Sequence, residues 1–238
     1  MSEIDKTGEL LTQRETALEE LSGGRGGILR TMAILLITGV CGWMVMQLEI
    51  LGGRMLTPYF GSNIYVTWGS VIGVFLLSLS VGYLLGGWLS RTAWSKVILG
   101  ANIAVAGGWL CLIPWMLEPV SYYMIDAGLS VKVGALFASI VLFSVPTVLL
   151  GTVSPTAVRW LTREADESGL SAGMVYAFST GASFAGCVVT AFYLVMLSAR
   201  GTNRVSGAVL ILVGGSVLLH AGLQWGRRRR VVKSEEVN

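Results

Sequence analysis

The chain alternates between long apolar runs and short polar breaks. Six of the runs hold roughly 20 residues or more, which is the length of a helix that crosses a bilayer. The pattern therefore predicts an all-α polytopic membrane protein with six transmembrane helices and a membrane domain over residues 30–225. The predicted spans cover residues 30–51, 65–89, 97–117, 133–153, 172–197 and 205–225.

Polar tails flank the membrane domain on both sides. In residues 1–29, Leu11, Leu18 and Leu21 form one stripe among glutamates, which predicts a short amphipathic helix ending at Gly23 and Gly24. This helix could be a solvated tail or could dock a partner, and it lacks the features of a cleaved signal peptide. Residues 226–238 form a basic tail whose four arginines, 227–230, are expected to anchor at lipid headgroups and not to bind nucleic acid.

Composition and charge agree with a membrane location. The 238 residues are 53% hydrophobic and 13% charged, against about 25% charged in soluble domains. Thirteen of the 17 Lys and Arg residues fall in the tails and alternate loops, which predicts both termini on the cytoplasmic side of a cell (inner or plasma) membrane. The other four are Arg54, Lys132, Arg200 and Arg204.

A carboxylate and a guanidinium lie at the end of the first apolar run, where a charge is costly. Glu49 and Arg54 are five residues apart, so a straight helix would place them about 140° apart around its axis. Gly52, Gly53 and Pro58 predict a structural break that would bring the two charges together in a polar, substrate-binding site. The alternative is an interfacial pair in which Arg54 extends toward the headgroups.

A second break is predicted where the fourth span meets Gly151 and Pro155. Each break is followed by a glycine-bearing span that begins near a tyrosine, and the two units are three spans apart. This similarity predicts a 3+3 inverted repeat, in which broken helices commonly carry the binding site.

Small and hydroxylated residues predict how two other spans pack. Two GxxxG pairs in the second span predict close neighbours on opposite faces. In the fifth span, a polar face is expected to point inward and to add to the substrate site, although ordinary helix packing would explain it equally well. The pairs are Gly69 with Gly73 and Gly82 with Gly86, and the polar face holds Tyr176, Ser179, Thr180 and Ser183.

Three blocks of the sequence resemble a known family. Residues 49–61, with the segment 65–91 that follows them, residues 149–161 and residues 173–186 are similar to the membrane domain of membrane-bound spermidine synthase-like proteins. The resemblance implies that a soluble aminopropyltransferase-like domain works with such a membrane domain, and that Tyr59 beside Glu49 and Arg54 belongs to a polyamine-like binding site. The glycine-rich loop and acidic residues of that catalytic domain are missing from the sequence.

Three functions follow as expectations. The protein is a membrane subunit that anchors and serves a separate cytoplasmic aminopropyltransferase-like protein, an independent small-solute transporter, or an assembly component without a ligand. It could also form a homo-oligomer. Cys41, Cys111, Cys187 and the lone His220 have no metal-ligand spacing. We therefore expect no metal, no cofactor and no catalytic residue in this chain.

Overall fold

The fold is a bundle of long helices. The computed structural model describes residues 3–61, 64–162 and 168–235, with side chains over 27–61, 65–162 and 169–223, and every regular element in these ranges is helical. A short 3-10 turn, Leu194–Met196, precedes the last helix. The helices are α1 (Glu3–Phe60), α2 (Ile64–Leu89), α3 (Ser95–Asp126), α4 (Val131–Gly151), α5 (Val153–Leu161), α6 (Ser168–Phe192) and α7 (Ala199–Glu235).

Among the described residues, six stretches are long and apolar enough to cross a membrane, which confirms the predicted all-α polytopic fold. Because six is an even number, the two ends of the chain lie at the same end of the bundle. We call the opposite end, where α1 finishes, the Phe60 end. The six stretches are Gly27–Phe60, Tyr65–Leu89, Ser95–Asp126, Val131–Leu161, Gly169–Met196 and Ala199–Leu223.

The first helix is continuous, and this corrects two predictions. α1 does not end at Gly23 and Gly24, nor does it unwind at Gly52 and Gly53. A break in a bilayer would leave backbone groups without partners, so helical hydrogen bonds are kept unless something replaces them.

The two glycines within the span serve close packing instead. A methyl group at Gly52 would lie 3.0 Å from the ring of Phe143 in α4, and one at Gly53 would lie 3.0 Å from the ring of Trp68 in α2. Pro58 lies inside the last turn of α1, and Gly61, at φ 81°, follows the helix end in the left-handed conformation that glycine tolerates.

The second predicted break is present. α4 ends at Gly151, Thr152 forms a turn, and Pro155 lies in the first turn of α5, where a helix tolerates proline. The Thr152 hydroxyl donates to the carbonyl of Leu149 at 2.6 Å and accepts a hydrogen bond from the Asn102 side chain of α3 at 3.1 Å. The carbonyl of Leu149 thus accepts both the backbone N–H and the hydroxyl of Thr152, and the Asn102 amide of a neighbouring span holds the turn in place.

The second span has a close neighbour on only one of its two glycine faces. A methyl group at Gly82 would lie 2.5 Å from the carbonyl oxygen of Val148, and one at Gly86 would lie 2.6 Å from that of Thr152. At Gly69 and Gly73 nothing in the described chain lies within 4 Å. The prediction that two neighbours enclose this span is therefore wrong for the single chain, because only α4 packs against it through a glycine face.

Glycine contacts also define the other helix pairs. α1 runs parallel to α6, with Gly42 against Ser179 and Ser183, just as α2 runs parallel to α4. α3 runs antiparallel to α7, where Gly100 meets Gly214 and Gly107 meets Gly207. An in-plane two-fold that exchanges α1 with α4, α2 with α6 and α3 with α7 would convert the α1–α6 pair into the α4–α2 pair. The pairing therefore agrees with the predicted inverted repeat.

The core lies where α1, α3 and α4 meet. Leu48, Ile103, Leu110 and Leu142 are each at most 1% exposed, and the rings of Phe75 and Phe143 lie 5.9 Å apart. These side chains fix the position of α1, whose other faces carry the polar residues described next.

Candidate functional site

Glu49 lies within the span formed by α1, eleven residues before the helix ends at Phe60. At 1.5 Å per residue this is about 16 Å along the axis from that end. The side chain is partly buried and makes no hydrogen bond or ion pair with any residue that the structure describes. An ionisable group at such a depth without a partner is unusual, because its desolvation is not offset.

The surroundings of Glu49 are set by three glycines of the same helix. On α1 the position of Glu49 is about 20° from that of Gly42, 40° from that of Gly53 and 60° from that of Gly52. These glycines lie against α6, α2 and α4 respectively. Glu49 therefore lies on the α1 face that three other helices approach closely.

The turn of α6 at the level of Glu49 carries a buried hydroxyl. Since α1 and α6 are parallel and Trp43 packs against Gly186, Thr190 of the next turn of α6 is close to the level of Glu49. Thr190 is fully buried, and its hydroxyl has no hydrogen-bond partner among the described residues. Sequence reasoning missed this residue, since a single threonine in an apolar run gives no signal by itself.

Arg54 does not pair with Glu49. Its guanidinium Nη1 donates to the carbonyl of Leu197, just before α7, at 3.1 Å, and the side chain is exposed. Because α1 stays helical, the two charges keep the 140° separation of a straight helix. The predicted pairing of Glu49 with Arg54 is therefore wrong, and Glu49 remains as the candidate carboxylate.

The other predicted substrate-site residues are divided between several locations. Tyr59 is near the Phe60 end, edge-on to Tyr122 with ring centres 5.7 Å apart. Ser179 lies against α1, whereas Tyr176 and Thr180 are exposed. The fifth span thus points only part of its hydroxylated face inward, namely the serines one turn apart at 179 and 183.

A buried polar cluster joins α1 to α7 and was not predicted from the sequence. The Gln47 amide accepts a hydrogen bond from the Trp43 indole at 3.1 Å and donates to the Ser206 hydroxyl. Asn203 donates to the sulfur of Met55 at 3.7 Å, and its Oδ1 has no partner among the described residues. Gln47, only two residues before Glu49, was the available signal for this cluster.

The fold and site together define the protein as a polytopic α-helical membrane protein with a partly buried carboxylate inside one span. No family model, curated protein or solved structure matches the chain.

Proposed function

We propose that the protein binds a small organic cation, of the polyamine class, within the membrane at Glu49. The observation that carries the proposal is that the Glu49 carboxylate lies inside a span, while Arg54, the nearest cation in the sequence, is held by the carbonyl of Leu197. A bound cation would supply the missing counter-charge. Ionisable residues inside spans commonly mark ligand or ion pathways for this reason.

Neutral groups near Glu49 suit an amine. An ammonium group needs acceptors for its three donated hydrogen bonds. Glu49 supplies a charged acceptor, and the unpaired Thr190 hydroxyl supplies a neutral one. The hydroxyls of Ser179 and Ser183 lie about three and two turns earlier on α6, at the level of Gly42. The choice of a polyamine among organic cations rests on the sequence resemblance.

The first candidate role for this binding is that of an independent small-solute transporter. Helix pairing that fits an inverted repeat, with the carboxylate on a span of one half and α6 of the other half beside it, supports this role. In that arrangement a solute bound between the halves can be reached from either side as the halves rock.

The second candidate role is that of a membrane subunit that anchors and serves a separate aminopropyltransferase-like protein in the cytoplasm. Its support is that the blocks of sequence resembling the spermidine synthase-like membrane domain pack against one another. Gly82, in the segment after the first block, lies against Gly151 of the second. Ala157 of the second and Val175 of the third share one buried cluster.

Equilibrium binding of labelled spermidine and putrescine to the purified protein in detergent tests the proposal. We expect saturable binding that Glu49→Gln reduces at least tenfold, because the variant keeps the shape and removes the charge. Glu118→Gln is the matched control: it removes a carboxylate near the Phe60 end that is already paired with Arg200. Equal binding by wild type and Glu49→Gln, or equal losses in both variants, would refute a site at Glu49.

The two roles are separated by two further measurements. Uptake of spermidine into proteoliposomes that contain only this protein supports transport. Recovery of a stoichiometric soluble aminopropyltransferase-like enzyme with the protein from mild detergent supports the subunit role. If the protein binds the amine at Glu49 but shows neither uptake nor a co-purifying enzyme, both roles are rejected and only the binding function remains.

A further inference from the structure

Three arginines form a basic surface at the Phe60 end, contributed by α1 and α7. Arg54 of α1 binds the carbonyl of Leu197, three residues before Arg200, and Arg204 follows one turn later on α7. All three side chains are exposed. We call Arg54, Arg200 and Arg204 the arginine surface. It is separate from Glu49, which lies on another face of α1.

Contacts with α3 hold two of these side chains in position. Arg200 makes an ion pair with Glu118, and the Arg204 guanidinium lies 5.5 Å from the ring centre of Trp115. A guanidinium has five N–H donors, and stacking on an aromatic face leaves its edge available. The arginines are thus preorganised, and most of their donors remain free for a ligand.

The local charge is positive and poorly offset. Glu118 is the one acidic group that pairs with the surface among the described residues, against three arginines. Asp126 and Lys132 lie further out at the same end and contribute one charge of each sign. The surface therefore carries a net positive charge, and its guanidinium groups can each form bidentate hydrogen bonds to an anion.

The position of the surface indicates which anion. Arg200 and Arg204 lie in the first two turns of the span that begins at Ala199, the depth at which headgroups meet the acyl region. Two exposed apolar side chains lie inward from these groups: Leu112 is about one turn before Trp115 on α3, and Val205 directly follows Arg204 on α7. A ligand with a phosphate and hydrocarbon chains matches this arrangement, because charged side chains lie at headgroup depth and apolar side chains lie further into the membrane.

We propose that the arginine surface binds the phosphate of an anionic phospholipid, with the acyl chains along the exposed faces of α3 and α7. Basic pockets between transmembrane helices bind anionic headgroups in this way. The proposal does not depend on amine binding at Glu49, so either can fail alone.

The test is native mass spectrometry of the full-length protein in nonionic detergent, titrated with phosphatidylglycerol or with phosphatidylcholine of the same chain length. We expect preferential binding of phosphatidylglycerol, weakened about fivefold by Arg54→Gln and by Arg204→Gln, as one charge near a headgroup implies. Arg91→Gln, an exposed arginine at the other end of the bundle, should change nothing. Equal binding of the two lipids, or an equal loss in Arg91→Gln, would overturn the site.

Two further measurements distinguish loss of the lipid site from poor folding of a variant and from binding of free anions. Glu118→Gln releases Arg200 from its ion pair and should strengthen phosphatidylglycerol binding, a gain that misfolding cannot produce. Unchanged or weaker binding in this variant contradicts the proposal. Inorganic phosphate at millimolar concentration should not displace the lipid, because it lacks the acyl chains. Displacement would show a site for free anions and not for a lipid.

Discussion

At the scale of single residues, the interior of the bundle contains polar side chains whose hydrogen bonds cross between helices. Gln47 is 3% exposed and connects the Trp43 indole on its own helix to the Ser206 hydroxyl on α7. Removing the Gln47 amide would therefore leave the partly buried Trp43 indole N–H and the buried Ser206 hydroxyl without this hydrogen-bond partner.

Gln47→Leu is therefore expected to lower the free energy of unfolding by about 1 kcal/mol, the usual size of such a bond within a membrane protein. Thermal unfolding in detergent measures it. Ser80→Ala is the control, because the exposed Ser80 hydroxyl donates only to the carbonyl of Leu76 in its own helix. Equal shifts in the two variants would show that the contact with α7 adds no stability.

Glu49 and Arg54 also show that a continuous helix keeps two charges five residues apart from forming an ion pair with each other. The rotation of α1 places them on different faces, where Arg54 donates to the carbonyl of Leu197 and Glu49 has no hydrogen-bond or ion-pair partner among the described residues. Replacing both residues should therefore have additive effects, unlike the replacement of an ion pair, in which the second change compensates for the first.

At the scale of whole helices, close packing at glycine decides which faces are occupied. At Gly82 any side chain would meet the backbone of α4, and backbone cannot turn away as the end of a flexible side chain can. The opposite face of α2, at Gly73, has open space within the described chain.

Gly82→Leu should thus lower stability by about 1–3 kcal/mol through overpacking, whereas Gly73→Leu should be nearly neutral. Detergent thermostability compares the two variants directly. A large loss of thermostability in Gly73→Leu would indicate that a second subunit packs on that face, in support of the predicted homo-oligomer. No loss in Gly82→Leu would contradict the α2–α4 contact.

The break between α4 and α5 acts at the same scale. Its turn at Thr152 is held by Asn102 of α3, so the fourth span is interrupted at a fixed point while the first span is one continuous helix. The two halves of the molecule thus differ in one respect that an exact repeat would not show.

At the scale of the whole molecule, six spans put both termini at one end of the bundle, and the distribution of Lys and Arg predicts that this end is cytoplasmic. The check is labelling of single cysteines at Ala127 and Ser234 with an impermeant reagent in intact cells, in a protein without Cys41, Cys111 and Cys187. We expect labelling at Ala127 alone. Labelling at Ser234 would show that the end with both termini faces the outside of the cell.

The sequence alone determined the number of spans and the class of fold. These follow from hydropathy summed over about 20 residues, a property that does not depend on which helices are neighbours. It also located the second break correctly at Gly151, because Pro155, three residues beyond the turn at Thr152, restricts the backbone locally.

The tertiary structure alone decided what the glycines do and where the charges go. Gly52 and Gly53 allow either a break or a close helix contact, and only the presence of Phe143 and Trp68 beside them settles the matter. In the same way, the partner of Arg54 lies 143 residues away in the chain at Leu197. No local pattern encodes a contact of that separation, because it exists only after the helices have packed.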